Sequence, residues 1–384
     1  MDATRSAKGA GDMRNAQDSR DAADAADAAA LRDELTFDAA GPVLLVGGYG
    51  TVGAELARLA APSWPLLLTG RTVARGEALA EETGARVERW DLTGPEPFRA
   101  GVRAVAGVVN DPDDRVLRAA IRGGVPYVDI TRWTARLQRA ATVAALRGPT
   151  SPVLLSSAWM GGVSSLVVAA LAEELGGADT VDIAVRWDLK DRAGADSVEF
   201  MDRLGLDYEV TEGGQRRTVM PLSDVRRVRI GPHPTKVARI DTPEQFTLPL
   251  ALGTATATTR IGFSSAASTS SLLAVKRLGF FRWGRGERFT SARRALLYAP
   301  GEGGTARLRI DVTHGGRSRT ATVTDDAGQA HLTAVGAMLA LRRVLGTDGA
   351  GAPRGVLFPE MTPVPARVPD LLAEYGVKLE SGTA

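Results

Sequence analysis

Cysteine is absent from the 384 residues, which excludes disulfides, thiolate catalysis and cysteine-ligated metal or iron–sulfur sites. Histidine is scarce: His233, His314 and His331 are far apart in sequence and lack metal-ligand spacing. We therefore predict no metal site. Basic residues are scattered and the net charge is only +2, so the charge pattern does not favour a nucleic-acid partner.

Long apolar runs are also missing. The N-terminal residues have no apolar segment of the signal-peptide kind, and aspartates recur through them. The longest uncharged stretch, 151–172, is divided by Gly161-Gly162 and by serines into a short strand and a helix. We interpret it as buried core, and we expect a cytoplasmic protein without membrane contact.

The most informative stretch joins an apolar strand, 43–46, to a helix through glycines that fit the pattern G-x-G-x-x-G. In this context the glycines permit a tight turn, the approach of a pyrophosphate and close helix packing, and the helix amides face the anion. The alternative is a glycine-rich turn without a ligand. The predicted cofactor-binding residues of this turn are Gly48, Tyr49, Gly50, Thr51, Val52 and Gly53.

The end of the second predicted strand indicates which nucleotide binds. Folds that bind NAD place Asp or Glu about 20 residues beyond the glycines to hold the ribose 2′-hydroxyl. Gly70 stands here instead, followed by Arg71 and Thr72. A guanidinium beside a hydroxyl suits a 2′-phosphate, so the sequence predicts NADP(H). The alternative is a solvated loop arginine.

Strands and helices alternate from Pro42 to about residue 160. This order predicts an α/β fold of the Rossmann type, a doubly wound parallel sheet that binds ligands at the carboxyl ends of its strands. Beyond residue 175 apolar and polar residues alternate, as in 181–187 and 307–313. This pattern predicts a second α+β domain built on a mixed or antiparallel sheet.

These patterns divide the chain into three parts. Residues 1–38, rich in Ala, Asp, Arg and Gly, are predicted to be a disordered low-complexity tail. Residues 39–160 are the predicted NADP-binding domain, to which the helix 329–345 and the C-terminal segment are expected to return. Residues 161–328 are the predicted substrate domain.

Three further polar residues follow predicted strands. Asp91 ends the third strand, where its carboxylate suits the adenine amino group; the alternative is a helix N-cap formed by Asp91 or Thr93. Asn110 and Asp111 end the fourth strand, on the side of the nicotinamide ribose. A turn and a helix N-cap explain this pair equally well, because proline and aspartate come next.

The fifth predicted strand carries a charge within an apolar pattern. Asp129 lies between Val128 and Ile130, and a buried carboxylate must be paired or serve a function. Arg132 is either its structural partner or a clamp for a substrate carboxylate. We predict Tyr127, Asp129 and Arg132 as candidate catalytic residues.

Two other stretches combine features typical of functional sites. Residues 156–165 leave the sixth strand and offer amides and hydroxyls at a helix N-terminus. Trp159 in this loop is predicted to wall the nicotinamide or substrate pocket; the alternative is a core tryptophan beside serine N-caps. Residues 272–289 mix basic and aromatic side chains, which suits a lid, a subunit interface or a membrane contact.

From about Pro42 onward, the chain resembles the saccharopine dehydrogenase-like family. The resemblance rests on the glycine turn, on Thr69-Gly70-Arg71, and on residues 124–129, Gly-Val-Pro-Tyr-Val-Asp, where the family reads Gly-Val-His-Tyr-Val-Asp. Near the end, 355–360 and 375–377 look like its closing pattern. Two loops depart from the family, Asn-Asp-Pro-Asp after the fourth strand and Ala-Trp-Met-Gly-Gly after the sixth. These departures favour a divergent member with its own substrate.

The resemblance implies an NADP(H)-dependent oxidoreductase that reduces an imine formed between an amine and a carbonyl or 2-oxo acid. It implies a small substrate carrying amine and carboxylate groups, and a homodimer formed through the second domain. Asp129 or Tyr127 would then be the acid/base or iminium-stabilising group, and Arg132 the carboxylate binder. Two alternatives stay open: an NADPH-dependent carbonyl or enoyl reductase, and a non-catalytic, membrane-associated NADP-binding protein.

Overall fold

A computed structural model describes residues 32–157, 160–191, 203–279 and 303–382. The first 31 residues of the predicted tail lie outside these ranges. The described residues form two seven-stranded sheets, one parallel and one mixed. This confirms the predicted α/β fold of the Rossmann type with a second unit of mixed sheet and helices.

The described strands and helices are numbered here in chain order. The strands are β1 Glu34–Phe37, β2 Val43–Val46, β3 Leu66–Gly70, β4 Arg86–Arg89, β5 Arg99–Val102, β6 Ala104–Gly107, β7 Tyr127–Arg132, β8 Val153–Ser157, β9 Thr180–Trp187, β10 Tyr208–Glu212, β11 Gln215–Val219, β12 Arg226–Ile230, β13 His233–Arg239, β14 Thr256–Phe263, β15 Ala306–His314, β16 Arg317–Asp325, β17 Val356–Leu357 and β18 Lys378–Gly382. The helices are α1 Thr51–Ala60, α2 Glu77–Thr83, α3 Arg115–Arg122, α4 Thr134–Arg147, α5 Val163–Leu175, α6 Glu244–Leu252, α7 Ala266–Arg277, α8 Gln329–Val344 and α9 Val368–Ala373.

The parallel sheet has the strand order β4-β3-β2-β6-β7-β8-β17. The chain builds outward from β2 to β4, crosses back, and then builds from β6 to β17, which is the doubly wound arrangement. All four residues of β2 are buried, because helices cover both faces of such a sheet. The two directions of winding separate between β2 and β6, and this point is where ligands bind in this fold.

Helix α8 covers one face of the parallel sheet, although it comes near the end of the chain. Its Ala334, Ala337 and Met338 share a core cluster with Leu56 and Ala57 of α1. The small side chains let the two helices approach closely. The C-terminal segment then joins both sheets, since β17 pairs with β8 and β18 pairs with β16.

The mixed sheet has the order β12-β13-β14-β9-β15-β16-β18. Strands β14 and β9 run parallel, and the strands on either side are antiparallel. As the alternation in the sequence predicts, every second side chain of β9 and β15 is buried, and these side chains form a single core cluster with α5. Those residues are Val181, Ile183, Val185, Leu308, Ile310 and Val312. None of the helices in the described ranges is long and apolar enough to cross a bilayer.

One short segment differs from the expectation. Residues 34–37, assigned to the tail from composition, form β1 and pair in parallel with β5. The reason is Asp33, whose buried carboxylate accepts a hydrogen bond from the Phe98 amide at 2.8 Å and from Arg115 Nη2 at 2.9 Å. Both partners lie far along the chain, so composition alone could not show that this segment is anchored.

Candidate active site

The glycine turn joins β2 to α1 at the carboxyl edge of the parallel sheet. A Cβ at Gly53 would lie 2.3 Å from the carbonyl oxygen of Gly47, so only glycine lets α1 begin this close to the strand. Gly50 is the exposed N-cap residue of α1. Within the described ranges, the first-turn amides of Thr51 and Val52 donate to no backbone carbonyl. This arrangement suits a pyrophosphate at the helix N-terminus.

Tyr49 places its ring between the glycine turn and the end of β3. Its hydroxyl accepts a hydrogen bond from the Thr72 amide at 3.1 Å. A Cβ at Gly70 would lie 2.3 Å from that hydroxyl oxygen, and a Cβ at Gly76 would lie 2.7 Å from the ring. The two glycines therefore make room for Tyr49, which forms a wall beside the predicted adenosine site.

Arg71 extends from the end of β3 and is exposed. Its carbonyl oxygen accepts a hydrogen bond from Arg89 Nε at 3.3 Å. Its guanidinium has no ion pair in the part of the chain that the structure describes. By contrast, Arg89 forms an ion pair with Glu96, and its Nη2 lies 3.7 Å from Oδ2 of Asp91. Arg71 is therefore an exposed positive charge beside the glycine turn, without an ion pair among the described residues.

Asp91 folds back on its own loop. Its Oδ1 accepts hydrogen bonds from the Thr93 amide at 3.1 Å and from the Thr93 hydroxyl at 2.8 Å. The Thr93 hydroxyl bond, together with the charges of Arg89 and Arg71, holds the pKa of Asp91 below its ordinary value. A turn follows rather than a helix, so the helix N-cap alternative is wrong for Asp91 and Thr93. The adenine contact stays a prediction.

Asp111 faces inward and caps α3. Its Oδ1 accepts from the Arg115 amide at 2.9 Å and its Oδ2 from the Val116 amide at 2.8 Å. Burial raises the pKa of Asp111 to about 6. This geometry agrees with the helix-cap alternative. Asn110, half-buried at the sheet edge, accepts a hydrogen bond from Arg136 of α4.

Asp129 is the centre of a closed network on β7. Its Oδ2 accepts from the Tyr127 hydroxyl at 2.6 Å and from Arg132 Nε at 2.7 Å. Its Oδ1 accepts from the amide and the hydroxyl of Thr131, at 2.9 and 2.7 Å. Asp129 is only 1% exposed. Burial, followed by the Asp129 charge, raises the pKa of Tyr127 well above its ordinary value, so the Tyr127 hydroxyl keeps its proton.

Arg132 continues the network away from Asp129. It pairs with Asp114, whose second oxygen lies 2.9 Å from Arg139 Nε. Burial opposes the charge of Arg132, but Asp129, Tyr127 and Asp114 outweigh it and raise the pKa of Arg132. The structure thus brings Tyr127, Asp129 and Arg132 together as mutual partners. This geometry favours structural pairing over a free acid/base group or a substrate clamp.

Trp159 lies outside the described residues. Ser157 ends β8 before it, and Gly161 and Gly162, with φ of 58° and 87°, turn the chain into α5 after it. A Cβ at Gly161 would lie 2.4 Å from the Thr333 carbonyl oxygen. The turn therefore packs directly on the backbone of α8.

Two carboxylates that sequence reasoning missed reach this edge from the mixed sheet. The segment between β13 and α6, together with the first residue of α6, contacts Thr134, shortly after β7, and Ser157, at the end of β8. Asp241 Oδ1 accepts from the Thr134 hydroxyl at 2.5 Å. Glu244 accepts from the Ser164 hydroxyl at 2.8 Å, and its Oε2 lies 3.5 Å from the Ser157 hydroxyl. The local sequence Asp-Thr-Pro-Glu is that of an ordinary helix start, so it gave no functional signal.

Glu360 lies beside Glu244 in the interior. It belongs to the 3₁₀ turn Pro359–Met361 and is 2% exposed. Among the described residues, neither of its carboxyl oxygens has a hydrogen-bond partner of good geometry, although the hydroxyls of Thr247 and Ser165 face it. Burial raises the pKa of Glu360 to about 7 and also raises the pKa of Glu244. Sequence reasoning used Glu360 only as part of a family pattern.

The Glu360 carboxyl makes stability depend on pH. Its pKa is 4.5 when unperturbed and about 7 in the folded protein, so the folded state binds the proton more tightly and loses stability as pH rises. We expect the free energy of unfolding to fall by roughly 2–3 kcal/mol between about pH 5 and about pH 8 from this group. Urea unfolding of wild type, Glu360→Gln and the exposed control Glu209→Gln measures it. If the free energy of unfolding depends on pH equally in all three proteins, the raised pKa assigned to Glu360 is wrong.

The fold has relatives among solved structures. No protein-family model matches the chain, and no curated protein matches it in sequence. Apo saccharopine dehydrogenase (L-Glu forming) from Saccharomyces cerevisiae matches with a TM-score of 0.60 and 14% identity, over 90% of this chain and 100% of that one. At this identity the likeness shows a shared fold.

Two other solved structures match with lower scores. A myo-inositol dehydrogenase from Corynebacterium glutamicum has a TM-score of 0.40 and 12% identity, over 92% of this chain and 99% of its own. Biliverdin reductase from Synechocystis, solved with biliverdin and NADP⁺, has a TM-score of 0.37 and 14% identity, over 87% of this chain and 98% of its own.

Proposed function

We propose that the protein is an NADP(H)-dependent oxidoreductase of the saccharopine dehydrogenase-like type. The observation that carries the proposal is the glycine turn: Gly53 packs against Gly47 at a distance that no side chain permits, and the first amides of α1 are left for an anion. The fold shared with saccharopine dehydrogenase over nearly the whole chain supports it. Residues 39–160, with α8, would bind the cofactor, and 161–328 would hold the substrate.

The residues at the end of β3 fit a nucleotide with a 2′-phosphate. Arg71 is exposed and carries an unpaired charge among the described residues, Thr72 stands beside it, and Tyr49 forms the adjacent wall. Position 70, where NAD-binding folds carry a carboxylate, is glycine. Bound in this orientation, the reduced nicotinamide would supply a hydride at the carboxyl edge of the sheet.

Arg71→Ala tests the choice of NADP(H). A charged hydrogen-bonding partner contributes about 1.5–3 kcal/mol, so NADPH affinity should fall roughly 10- to 100-fold, while NADH affinity stays the same. Titration calorimetry with both nucleotides measures this. Arg86→Ala, an exposed arginine at the amino end of β4, is the matched control. An unchanged preference for NADPH in Arg71→Ala would exclude the proposed role.

We propose that the reaction is the reduction of an imine formed from an amine and a carbonyl compound or 2-oxo acid. The catalytic candidates from sequence are Tyr127, Asp129, Arg132 and Trp159. The closed hydrogen-bond network around Asp129 supports a structural role for Tyr127, Asp129 and Arg132. Trp159 stays a candidate for lining the nicotinamide or substrate pocket.

A panel of amines combined with 2-oxo acids, incubated with NADPH, tests the reaction class. We expect NADPH oxidation only when both components are present, with a secondary amine as the product in mass spectrometry. Oxidation with the carbonyl or enoyl compound alone would favour a simple reductase. Absence of oxidation across the panel would count against the enzyme assignment.

The proposal includes a homodimer formed through the mixed sheet. Sedimentation velocity measures the mass of the particle in solution. A single species at the monomer mass of 40.3 kDa across the accessible concentrations would remove this part of the proposal.

A further inference from the structure

A row of polar and basic side chains crosses the mixed sheet at the end of β9. Arg186 of β9 is the register partner of Arg307 of β15. Thr324 of β16 is paired with Arg307, and Lys378 of β18 is paired with Thr324. Paired residues of neighbouring antiparallel strands point to the same face of a sheet. Val185, next to Arg186, is buried against α5, so the row lies on the face directed away from α5.

The two arginines of this row have no carboxylate partner. Among the described residues, neither guanidinium forms an ion pair, and Arg186 makes no side-chain hydrogen bond. The carboxylates nearby are bound elsewhere. Asp326 forms an ion pair with Lys378 at 2.7 Å, and Asp188 accepts a hydrogen bond from a backbone amide of its own turn at 3.1 Å. The N–H donors of Arg186 and Arg307 are therefore available to a ligand.

The two guanidiniums also repel each other, because like charges directly opposite on neighbouring strands are destabilising. Burial lowers the pKa of Arg186, the charge of Asp188 opposes this effect, and the charge of Arg307 lowers the pKa further. An anion between the two arginines would remove the repulsion. The protein should therefore be more stable when such an anion is bound.

The turn between β12 and β13 covers one side of the row. Ile230 of β12 packs with Ala184 of β9 in a small apolar cluster, which places this hairpin on the same face of the sheet as the arginines. His233 Nε2 lies 3.5 Å from Arg307 Nη1, and a Cβ at Gly231 would lie 4.0 Å from Arg307 Cδ. Arg307 and His233 are half-buried. The turn thus leaves a partly covered site, which suits a small anion better than the surface of a partner protein.

A phosphate group matches these donors in shape and charge. Each guanidinium holds its N–H groups in one plane and binds two oxygens at once. A carboxylate has two oxygens and would satisfy one guanidinium in this way, whereas a phosphate has oxygens for both arginines. The Thr324 hydroxyl, which makes no hydrogen bond among the described residues, stands beside Arg307 as a further donor. Near neutral pH a phosphate monoester carries about two negative charges, which balances the two arginines.

We infer that Arg186, Arg307 and Thr324 form a binding site for a phosphate group, either inorganic phosphate or the monoester of a small metabolite. The site belongs to the mixed sheet and is separate from the glycine turn, where the nucleotide is proposed to bind. It does not depend on the proposed oxidoreductase function.

Titration calorimetry of the full-length protein tests the site, with inorganic phosphate and glycerol 3-phosphate as the probes at constant ionic strength. Arg186→Gln and Arg307→Gln should each weaken binding by roughly 10-fold or more, because each removes a charged donor. Arg217→Gln is the matched control, since Arg217 of β11 is exposed and has no ion pair among the described residues. The probe that binds more tightly shows whether the ligand is phosphate itself or a monoester. If the wild type binds neither probe in the millimolar range, or if all four proteins bind equally, the inference is wrong.

Thermal unfolding separates this site from a structural role of the arginines. Without phosphate, Arg186→Gln should unfold at or above the wild-type temperature, since the repulsion is removed. Phosphate at the same ionic strength should raise the melting temperature of the wild type and of Arg217→Gln more than that of Arg186→Gln. A lower melting temperature of Arg186→Gln without phosphate would show that this arginine stabilises the fold without an anion, and would overturn the inference.

A carboxylate of a second copy of the chain is the alternative occupant of the row. Sedimentation velocity of the wild type and Arg186→Gln, both without phosphate, decides between the two, and we expect the same particle mass for both. A dimer that is lost only in Arg186→Gln would assign the row to a subunit interface and overturn the phosphate site. Titration with NADPH is a separate measurement: a protein that binds no NADPH would contradict the proposed function and leave this inference intact.

Discussion

Replacing Asp129 with alanine is expected to lower the free energy of unfolding by roughly 3–5 kcal/mol, because it leaves a buried charge without its partner. Arg132 is 2% exposed and would keep its ion pair with Asp114 but lose the one with Asp129. The Tyr127 hydroxyl would lose its acceptor as well. Urea unfolding monitored by circular dichroism measures the change, and NADPH affinity should remain wherever the protein is folded.

The double variant Asp129→Ala with Arg132→Met is the control for this expectation. Removing both charges avoids the buried unpaired arginine, so the double variant should recover a large part of the lost stability. Asp129→Asn should be intermediate, since an amide oxygen accepts from Tyr127 but carries no charge. If Asp129→Ala keeps the wild-type stability and loses only activity, the network is not structural and Asp129 returns as a catalytic group.

Two glycine substitutions in the same turn should separate folding from nucleotide binding. Gly53→Ala should cost roughly 2–4 kcal/mol of stability, since its Cβ would lie 2.3 Å from the Gly47 carbonyl oxygen and 2.9 Å from backbone carbons of Gly48. Gly50→Ala should cost under about 1 kcal/mol, because its Cβ would meet only the Gly47 oxygen, at 3.3 Å, and its φ of −75° suits alanine.

Nucleotide binding should nevertheless be weakened strongly in Gly50→Ala, because the added methyl group occupies the exposed face that a pyrophosphate approaches. Thermal unfolding with and without NADPH measures both effects in one experiment. We expect Gly50→Ala to melt like the wild type without nucleotide and to gain little from NADPH. If Gly50→Ala is stabilised by NADPH as much as the wild type, the phosphate does not lie on this turn.

Features encoded by neighbouring residues were predictable from the sequence. The predicted strand 43–46 is confirmed at both ends. An apolar run that glycines follow directly is typical of a buried strand that ends in a tight turn. The alternation in β9 and β15 predicted a half-buried sheet for the same reason. The pairing of Asp129 with Arg132 was one of two predicted alternatives. A register shift of β7 between these two residues brings together side chains that a regular strand would place on opposite faces.

Features that depend on distant residues were not predictable. Asp33 anchors β1 through Arg115, Asp114 completes the network of Arg132, and Glu244 meets Ser157 only because the second sheet lies against the first. A buried carboxyl such as Glu360 has no local signature, since its burial comes from packing. The sequence therefore identified the glycine turn, but it did not identify the buried carboxyls of Asp241 and Glu244 near the ends of β7 and β8.

The position of α8 has a consequence for how the protein is made. The glycine turn is synthesised long before the helix that packs on α1 and supports the turn 160–162. Contacts of such high sequence separation form late and slow folding. We expect nascent chains that end before Gln329 to contain the whole glycine turn yet to bind nucleotide poorly, so that nucleotide affinity reports whether α8 has been synthesised.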